Sequence, residues 1–248
     1  MPVETTRRDD VLELCLRRPD RGNALSAEMV AALRAGIAAA DDPAIRLLVL
    51  RGIGRNFCTG FDLAGLDTAS DGDLLLRFVH IEQMLQALHH APVPSITLAQ
   101  GRIFGAGADL FAACAWRIAT PTARFAFPGA RFGLVLGTRR LAGVAGVQVA
   151  LDLTQRGQTI AAEAALACGL ATALAAETEW DAAIAAIVTE LRATPRDTAI
   201  ALRAAARPDT RDADLAALVR SAALPGLRDR IAAYASQRTA APAPGATA

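Results

Sequence analysis

The sequence contains no lysine, because all 26 of its basic residues are arginines. Without lysine the chain cannot form a Schiff base on an amine side chain, complete a Walker phosphate loop or build a serine–lysine nucleophile pair. The arginines are nearly balanced by 25 acidic residues, which gives a formal net charge of +1. Binding to nucleic acids or anionic membranes draws on a basic excess, so this balance argues against both.

Cysteine, histidine and long apolar segments are also scarce. The four cysteines and three histidines show no metal-ligand spacing, so we predict no metal site and expect reduced thiols. The longest apolar run, residues 103–116, carries Asp109 and is shorter than the ~20 residues of a membrane-spanning helix. Near the N-terminus, residues 5–10 are polar and charged where a signal peptide would be apolar. We therefore expect a cytoplasmic protein that binds no membrane.

Strand and helix patterns alternate through the first half of the chain. Residues 11–16 alternate in polarity, while residues 45–50 and 95–99 are aliphatic runs typical of strands buried on both faces. A helix is predicted for residues 73–90, and a hairpin for residues 116–127. Because each strand–helix unit ends in a glycine-containing loop, we predict repeated ββα units in one α/β domain.

The pattern changes at about residue 159, where alanine-rich helical segments replace the strand signals. We predict a core of residues 1–190 and a helical segment of residues 191–238 that covers the core or a neighbouring subunit. Residues 239–248 are rich in proline, alanine and glycine, which predicts a disordered tail.

Two loops rich in small residues directly follow buried strands. The first glycine loop is residues 55–63, and the second glycine loop is residues 101–110. Small residues let the backbone approach a ligand closely, and the start of a following helix offers unpaired N–H donors. Two such loops can direct two N–H groups at one oxygen, which is an oxyanion hole. Taken singly, each loop is equally compatible with an ordinary tight turn.

In this order and spacing, the two glycine loops resemble the crotonase superfamily, the enoyl-CoA hydratases and isomerases. Residues 16–26, 125–141 and 160–174 continue the resemblance, which covers roughly residues 10–175. It implies an α/β fold, a crotonase-like spiral of repeated ββα units with a helical C-terminal region. It also implies an acyl-CoA thioester substrate and a homotrimer or a hexamer formed by two trimers. Coenzyme A belongs to the substrate, so no separate cofactor is expected.

The resemblance assigns catalytic roles to three residues of the glycine loops. It places the two oxyanion donors at the backbone N–H groups of Phe61 and Ala106. Asp109 falls where the family has its first catalytic acid, and its side chain is one methylene shorter than the usual glutamate. The substrate-binding residues implied by the resemblance are Asn23, Ala24, Gly60, Leu63, Gly105 and Gly129. Any basic side chain that meets the CoA phosphates has to be an arginine.

The sequence departs from the family pattern at the second acid. Gly129 stands where hydratases have a glutamate, and Gly137 stands at or near the acid that some isomerases and dehalogenases keep. One acid therefore remains where a hydratase has two. This favours an enolate reaction with a single proton carrier, such as double-bond isomerisation, over two-acid hydration.

Other functions remain open from the sequence. Gly129, with Arg131 nearby, is compatible with a decarboxylase or a C–C lyase in which a substrate carboxylate fills the space of the missing acid. Loss of the second acid is also compatible with a catalytically silent acyl-CoA-binding subunit. Asp109 has a purely structural alternative, complementing the helix dipole. A dinucleotide site is the weakest reading, since the second glycine loop lacks the third spaced glycine.

Overall fold

The computed structural model describes residues 1–240, in which a six-stranded sheet is joined by a smaller three-stranded sheet. The larger sheet has the order β1-β2-β3-β4-β6-β9, with β1 antiparallel to β2 and the other neighbours parallel. The smaller sheet has the order β5-β7-β8. The strands are β1 (Val3–Arg8), β2 (Val11–Leu16), β3 (Leu47–Gly52), β4 (Ser95–Ala99), β5 (Arg102–Phe104), β6 (Trp116–Ala119), β7 (Arg124–Ala126), β8 (Ile160–Ala161) and β9 (Ala173–Leu174).

Helices cover both faces of the larger sheet and form the C-terminal region. They are α1 (Ala27–Ala38), α2 (Asp71–His89), α3 (Ala106–Ala112), α4 (Thr138–Ala145), α5 (Val147–Arg156), α6 (Ala162–Ala167), α7 (Trp180–Arg192), α8 (Arg196–Ala206), α9 (Arg211–Ala222) and α10 (Leu227–Ala240). Alternate residues of β3 divide between two cores: Leu48 joins the main core, while Leu47 and Val49 pack with Trp180 of α7. This two-sided burial explains why the central strands read as continuous aliphatic runs.

Capping side chains fix the start of two helices, and two predicted elements are shifted along the chain by up to two residues. The Ser26 hydroxyl accepts a hydrogen bond from the Met29 N–H at 3.2 Å, which caps α1. Ser70 and Asp73 form a reciprocal capping box, so α2 begins two residues before its predicted start. The strand expected at residues 45–50 lies at Leu47–Gly52 instead.

The predicted hairpin of residues 116–127 is wrong. Its first half, β6, pairs in parallel with β4 in the larger sheet, and its second half, β7, pairs in parallel with β5 in the smaller sheet. Residue alternation indicates a strand but does not reveal which strand lies beside it. The two strands of this unit therefore enter different sheets, which is how repeated ββα units stack.

The C-terminal helices return to the core beside α2. Helix α9 packs along α2, and α10 contacts both α2 and the short turn at Pro128–Phe132. Helix α10 continues to Ala240, so residues 239 and 240 of the predicted tail are helical, and the rest of that tail lies outside the described residues. Among residues 1–240, no helix combines the length and the apolar character needed to cross a membrane.

Candidate active site

The two glycine loops lie against each other through their backbones. The Phe104 N–H donates to the Cys58 carbonyl at 3.0 Å, and Gly60 has a φ of +96°. A Cβ atom on Gly60 would lie 2.7 Å from the Phe104 carbonyl oxygen and 3.4 Å from the Ala106 nitrogen. Glycine is therefore required at residue 60, both for its conformation and for the close approach of the loops.

Two backbone N–H groups, those of Phe61 and Ala106, find no acceptor in the described part of the chain where the loops meet. The Leu25 N–H donates to the Gly60 carbonyl, and the Asp62 N–H donates to the Leu25 carbonyl. The N–H of Phe61, which lies between these two bonds, takes part in neither. Ala106 is the first residue of α3, where an N–H has no partner inside the helix. Neither N–H has a hydrogen-bond acceptor anywhere in residues 1–240. The structure thus brings together the two donors predicted from the sequence.

Phe61 and Ala106 line one cavity of about 260 Å³. Its wall is mostly apolar and is completed by the segment after β7, by α5 and by α10. The lining side chains with large apolar or aromatic groups are Phe61, Leu63, Phe78, Phe127, Phe132, Leu134, Val135, Leu136, Leu151, Ile231 and Tyr234. Such a wall suits an acyl chain, while the two N–H groups suit a carbonyl oxygen at its end.

Asp109 is the only charged residue in the lining of this cavity within the described part of the chain. It lies in the first turn of α3 and is 5% exposed. Within the described chain its Oδ1 atom is buried without a hydrogen-bond donor, and a Cβ atom on Gly137 would lie 2.1 Å from it. Gly137 therefore lies close against this oxygen of the carboxyl.

Burial raises the pKa of Asp109 well above the usual range of an aspartic acid. The positive charge of Arg140 acts in the opposite direction, and the carboxylate of Glu82 adds to the increase. The Asp109 carboxyl therefore keeps its proton to higher pH than an exposed aspartate. Once ionised, a carboxyl with a raised pKa is a stronger proton acceptor than an exposed aspartate, which suits it to general acid–base chemistry.

Replacing Asp109 by asparagine should stabilise the fold increasingly as pH rises. The raised pKa means that the folded state holds a proton that the unfolded state loses, so Asp109 costs stability as pH rises from its unfolded pKa through its folded one. Asparagine does not ionise and avoids this cost. We expect a gain of about 0.5–2 kcal/mol near neutrality, the range of single stabilising substitutions. Urea unfolding at several pH values measures it; a gain independent of pH would contradict this explanation.

Gly129 lies in the cavity wall, where the family pattern has a second acid. A Cβ atom there would make only ordinary contacts, the nearest at 3.5 Å from the Leu134 carbonyl oxygen. The backbone has no positive φ at this residue. Among residues 1–240 the site therefore has no second carboxyl, although space for a side chain exists at Gly129.

The predicted substrate-binding residues divide into two groups. Gly60, Gly105, Gly129 and Leu63 line the cavity, with Leu63 40% exposed. Asn23 and Ala24 are buried outside its lining.

The Asn23 side chain is occupied by the backbone around it. Its Nδ2 donates to the carbonyl oxygens of Ile53 and Asn56, and its Oδ1 accepts from the Arg18 N–H. Its backbone has a φ of +54°, which asparagine tolerates better than most residues. In this structure Asn23 ties the first glycine loop to the chain before α1, and neither of its amide hydrogens is left for a ligand. Its role in substrate binding stays a prediction.

Sequence reasoning missed the charged pair behind the cavity. Arg140 and Glu82 form two hydrogen bonds of 2.9 and 2.5 Å, and both side chains are almost fully buried. Glu82 lies on the buried side of α2 beside Phe78 and Ile81, and a lone acid in that apolar stripe was the available signal. Arg131, considered for a role near Gly129, donates to a backbone carbonyl at the surface and does not line the cavity.

Comparisons with known proteins identify the family of the chain. The sequence profile of the enoyl-CoA hydratase/isomerase family matches residues 11–242. The Mycobacterium bovis protein named as enoyl-CoA hydratase echA6 is 35% identical over 189 residues, covering 74% of this chain and 76% of its own.

Solved structures extend the agreement to the whole fold. A Bordetella parapertussis protein described as an enoyl-CoA hydratase/isomerase is 45% identical with a TM-score of 0.93, covering 98% of this chain and 100% of its own. An enoyl-CoA hydratase/isomerase from Xanthobacter autotrophicus Py2 has a TM-score of 0.84 at 25% identity, covering 97% of this chain and 94% of its own. These matches confirm the fold expected from the two glycine loops. The chain belongs to the enoyl-CoA hydratase/isomerase family of the crotonase superfamily.

Proposed function

We propose that this protein is an enzyme that processes an acyl-CoA or enoyl-CoA thioester through an enolate, with Asp109 as its single proton carrier. The observation that carries the proposal is the convergence of three groups on one apolar cavity. These are the unpaired N–H groups of Phe61 and Ala106 and the buried carboxyl of Asp109. Each has the chemistry that enolate formation needs.

The reaction begins with the thioester oxygen between the two N–H groups. As a proton leaves the carbon next to the thioester carbonyl, negative charge moves onto that oxygen, and the N–H groups of Phe61 and Ala106 stabilise it. Donors of this kind contribute about 10²–10³-fold each to the rate. The ionised carboxylate of Asp109 takes the proton, and the aspartic acid then returns it to another carbon of the acyl chain.

The described residues give the cavity lining one carboxyl, and double-bond isomerisation is the reaction best matched to such a site. The same proton leaves one carbon and returns to another, so the double bond shifts and no water is consumed. The test compares isomerisation of a 3-enoyl-CoA with hydration of crotonyl-CoA. Isomerisation faster than hydration supports the proposal, and hydration as the dominant reaction contradicts it.

Installing the missing acid should convert the site toward hydration. The open space at Gly129 accepts a side chain, so Gly129→Glu places a second carboxyl in the wall that holds Asp109. General acid–base groups contribute about 10²–10⁴-fold, and we expect crotonyl-CoA hydration to rise at least to the lower end of that range. Absorbance loss of the enoyl thioester measures it.

Gly143→Glu is the matched control, since Gly143 is exposed on α4 with nothing near its Cβ position. It adds the same charge away from the cavity and should leave hydration unchanged. Equal effects of the two substitutions would remove the argument for a second acid at residue 129.

A catalytically silent acyl-CoA-binding protein is the second candidate. The observation in its favour is that Gly129 has no side chain in the cavity lining that also contains Asp109, whose buried Oδ1 has no hydrogen-bond donor among the described residues. Calorimetry with acyl-CoA thioesters of several chain lengths separates the candidates. Binding without turnover of any thioester supports this second function, and turnover of any of them excludes it.

We also propose that the protein is a cytoplasmic homotrimer, alone or paired into a hexamer. Membership of the family supports this assembly, as do exposed apolar side chains on the outer helices, such as Val147 and Leu202. Analytical ultracentrifugation should give the mass of three or six chains. A monomer at micromolar concentration would contradict the proposal.

A further inference from the structure

A buried network of charges lies directly behind Asp109. Arg140 of α4 forms its paired hydrogen bonds with Glu82 of α2, and its Nη1 atom also lies 3.4 Å from Oδ2 of Asp214 on α9. The exposed fractions of these three side chains are 4%, 1% and 11%. Gln86 completes the network by donating to Glu82 at 2.9 Å. One cation is therefore shared between the buried carboxylate of Glu82 and the partly buried carboxylate of Asp214.

The same helix that carries Arg140 begins against the Asp109 carboxyl. Gly137, the N-cap of α4, is in tight contact with Oδ1 of Asp109, and Arg140 follows within the first turn. Both Oδ1 of Asp109 and Nε of Arg140 are buried without a hydrogen-bond partner in the described chain. No side chain of residues 1–240 donates a hydrogen bond to the Asp109 carboxylate, so the charge of the nearby guanidinium acts on it through space.

We propose that Arg140 is a positioning residue for Asp109. The positive charge of Arg140 favours the ionised carboxylate of Asp109, and the negative charges of Glu82 and Asp214 weaken this effect. The inference rests on the proposed function in so far as Asp109 is the proton carrier. The charges of a close ion pair partly cancel at a third group. The degree of cancellation, rather than the presence of Arg140 alone, then sets the readiness of Asp109 to ionise.

The other charged and titratable groups around this carboxyl do not replace the network. Arg139 is turned outward, 56% exposed, and pairs with Asp214. His89, at the end of α2, is held neutral because burial and the neighbouring Arg207 lower its pKa to about 4. Helix α3 itself carries no other charged residue. The groups that face Asp109 with charge are thus Arg140 and Glu82, with Asp214 acting on Arg140.

The test changes one charge at a time and follows the ionisation of Asp109 directly. Glu82→Gln keeps an oxygen for Arg140 and Gln86 but removes a negative charge, so the pKa of Asp109 should fall. Asp214→Asn should move it in the same direction by less, because Asp214 is farther from the guanidinium and partly shared with Arg139. Arg140→Gln should raise it. The readout is the carboxyl ¹³C shift of Asp109 against pH in the full chain, assigned by its loss in Asp109→Asn.

Glu13→Gln is the matched control. Glu13 pairs with Arg51 at 2.7 Å on β2 and β3, so the substitution also removes one acid from a partly buried arginine pair, away from the cavity. It should leave the pKa of Asp109, measured by the same carboxyl shift, unchanged. The proposal is overturned if Glu82→Gln leaves that titration unmoved or moves it no more than Glu13→Gln does. If Glu82→Gln fails to fold, Asp214→Asn decides alone, and an unmoved titration there also overturns it.

This readout is independent of turnover. Shifts of the Asp109 titration in a protein that processes no thioester would support the charge network and contradict the proposed function. In an active enzyme, the acid limb of the pH–rate profile should move with the titration, to lower pH in Glu82→Gln and to higher pH in Arg140→Gln. A change in rate with no movement of that limb would show a merely structural role.

Discussion

Asp109→Asn is expected to lower kcat by about 10²–10⁴-fold, the range of general acid–base catalysis, with little change in KM. Asparagine keeps the size of the side chain and its contact with Gly137 but can neither take nor return a proton. The cavity lining offers no second carboxyl to replace it in the described chain. Initial rates with a 3-enoyl-CoA measure the loss, and calorimetry with a saturated acyl-CoA shows whether binding survives.

Asp152→Asn is the control for this substitution. Asp152 lies on α5 beside the lining residue Leu151, and its own side chain is 47% exposed at the surface and outside the cavity lining. Its replacement should leave kcat unchanged. Retention of full activity by Asp109→Asn would show that the proton moves through another group, and the assignment of Asp109 as proton carrier would be withdrawn.

The backbone part of the site was predictable because its signals are local. The glycines of both loops stand directly after buried strands, so their small size and their place at a helix start can be recognised within ten residues of sequence. Gly60 and Gly105 need their positive φ values for reasons internal to the loops. The contact between the loops then follows from two neighbouring parallel strands ending at one edge of a sheet.

The charged part of the site could not be found in this way. Arg140 and Glu82 are separated by 58 residues, and their pairing depends on how α4 lies across α2. Neither position has an unusual local pattern beyond an acid within an apolar stripe. The error at residues 116–127 has the same origin, since strand alternation leaves the partner strand undetermined. Interactions distant in sequence are fixed by packing, which local periodicity does not encode.

Asn23 shows how a matching position can serve the fold. The resemblance placed it near the substrate, whereas its amide holds together residues 18, 53 and 56. The three hydrogen bonds are part-buried, so losing each one is expected to cost about 0.5–1.5 kcal/mol, the net value of an ordinary hydrogen bond.

Gly60→Ala should reduce kcat by about 10²–10³-fold, as expected for the loss of one oxyanion donor. Alanine at a φ of +96° is strained, and its Cβ would lie 2.7 Å from the Phe104 carbonyl oxygen, which is backbone and cannot rotate away. The two glycine loops have to separate, which moves the Phe61 N–H relative to that of Ala106. We also expect a loss of stability of about 1–3 kcal/mol from the strained backbone. Steady-state kinetics and urea unfolding measure the two effects.

Gly143→Ala tests whether these losses belong to the loop contact or to any glycine replacement. Gly143 lies within α4 with nothing near its Cβ position, and the same added methyl group should raise stability by up to about 1 kcal/mol through helix propensity. Its kcat should stay unchanged. If Gly60→Ala loses stability but keeps kcat, catalysis does not depend on the spacing of the two N–H groups. That result would contradict their assignment as the donors that hold the enolate oxygen. A loss of kcat well beyond the loss expected from the unfolded fraction would assign the effect to the geometry of the two N–H groups. The folded enzyme still contains Asp109, so the proton carrier is not what has been lost.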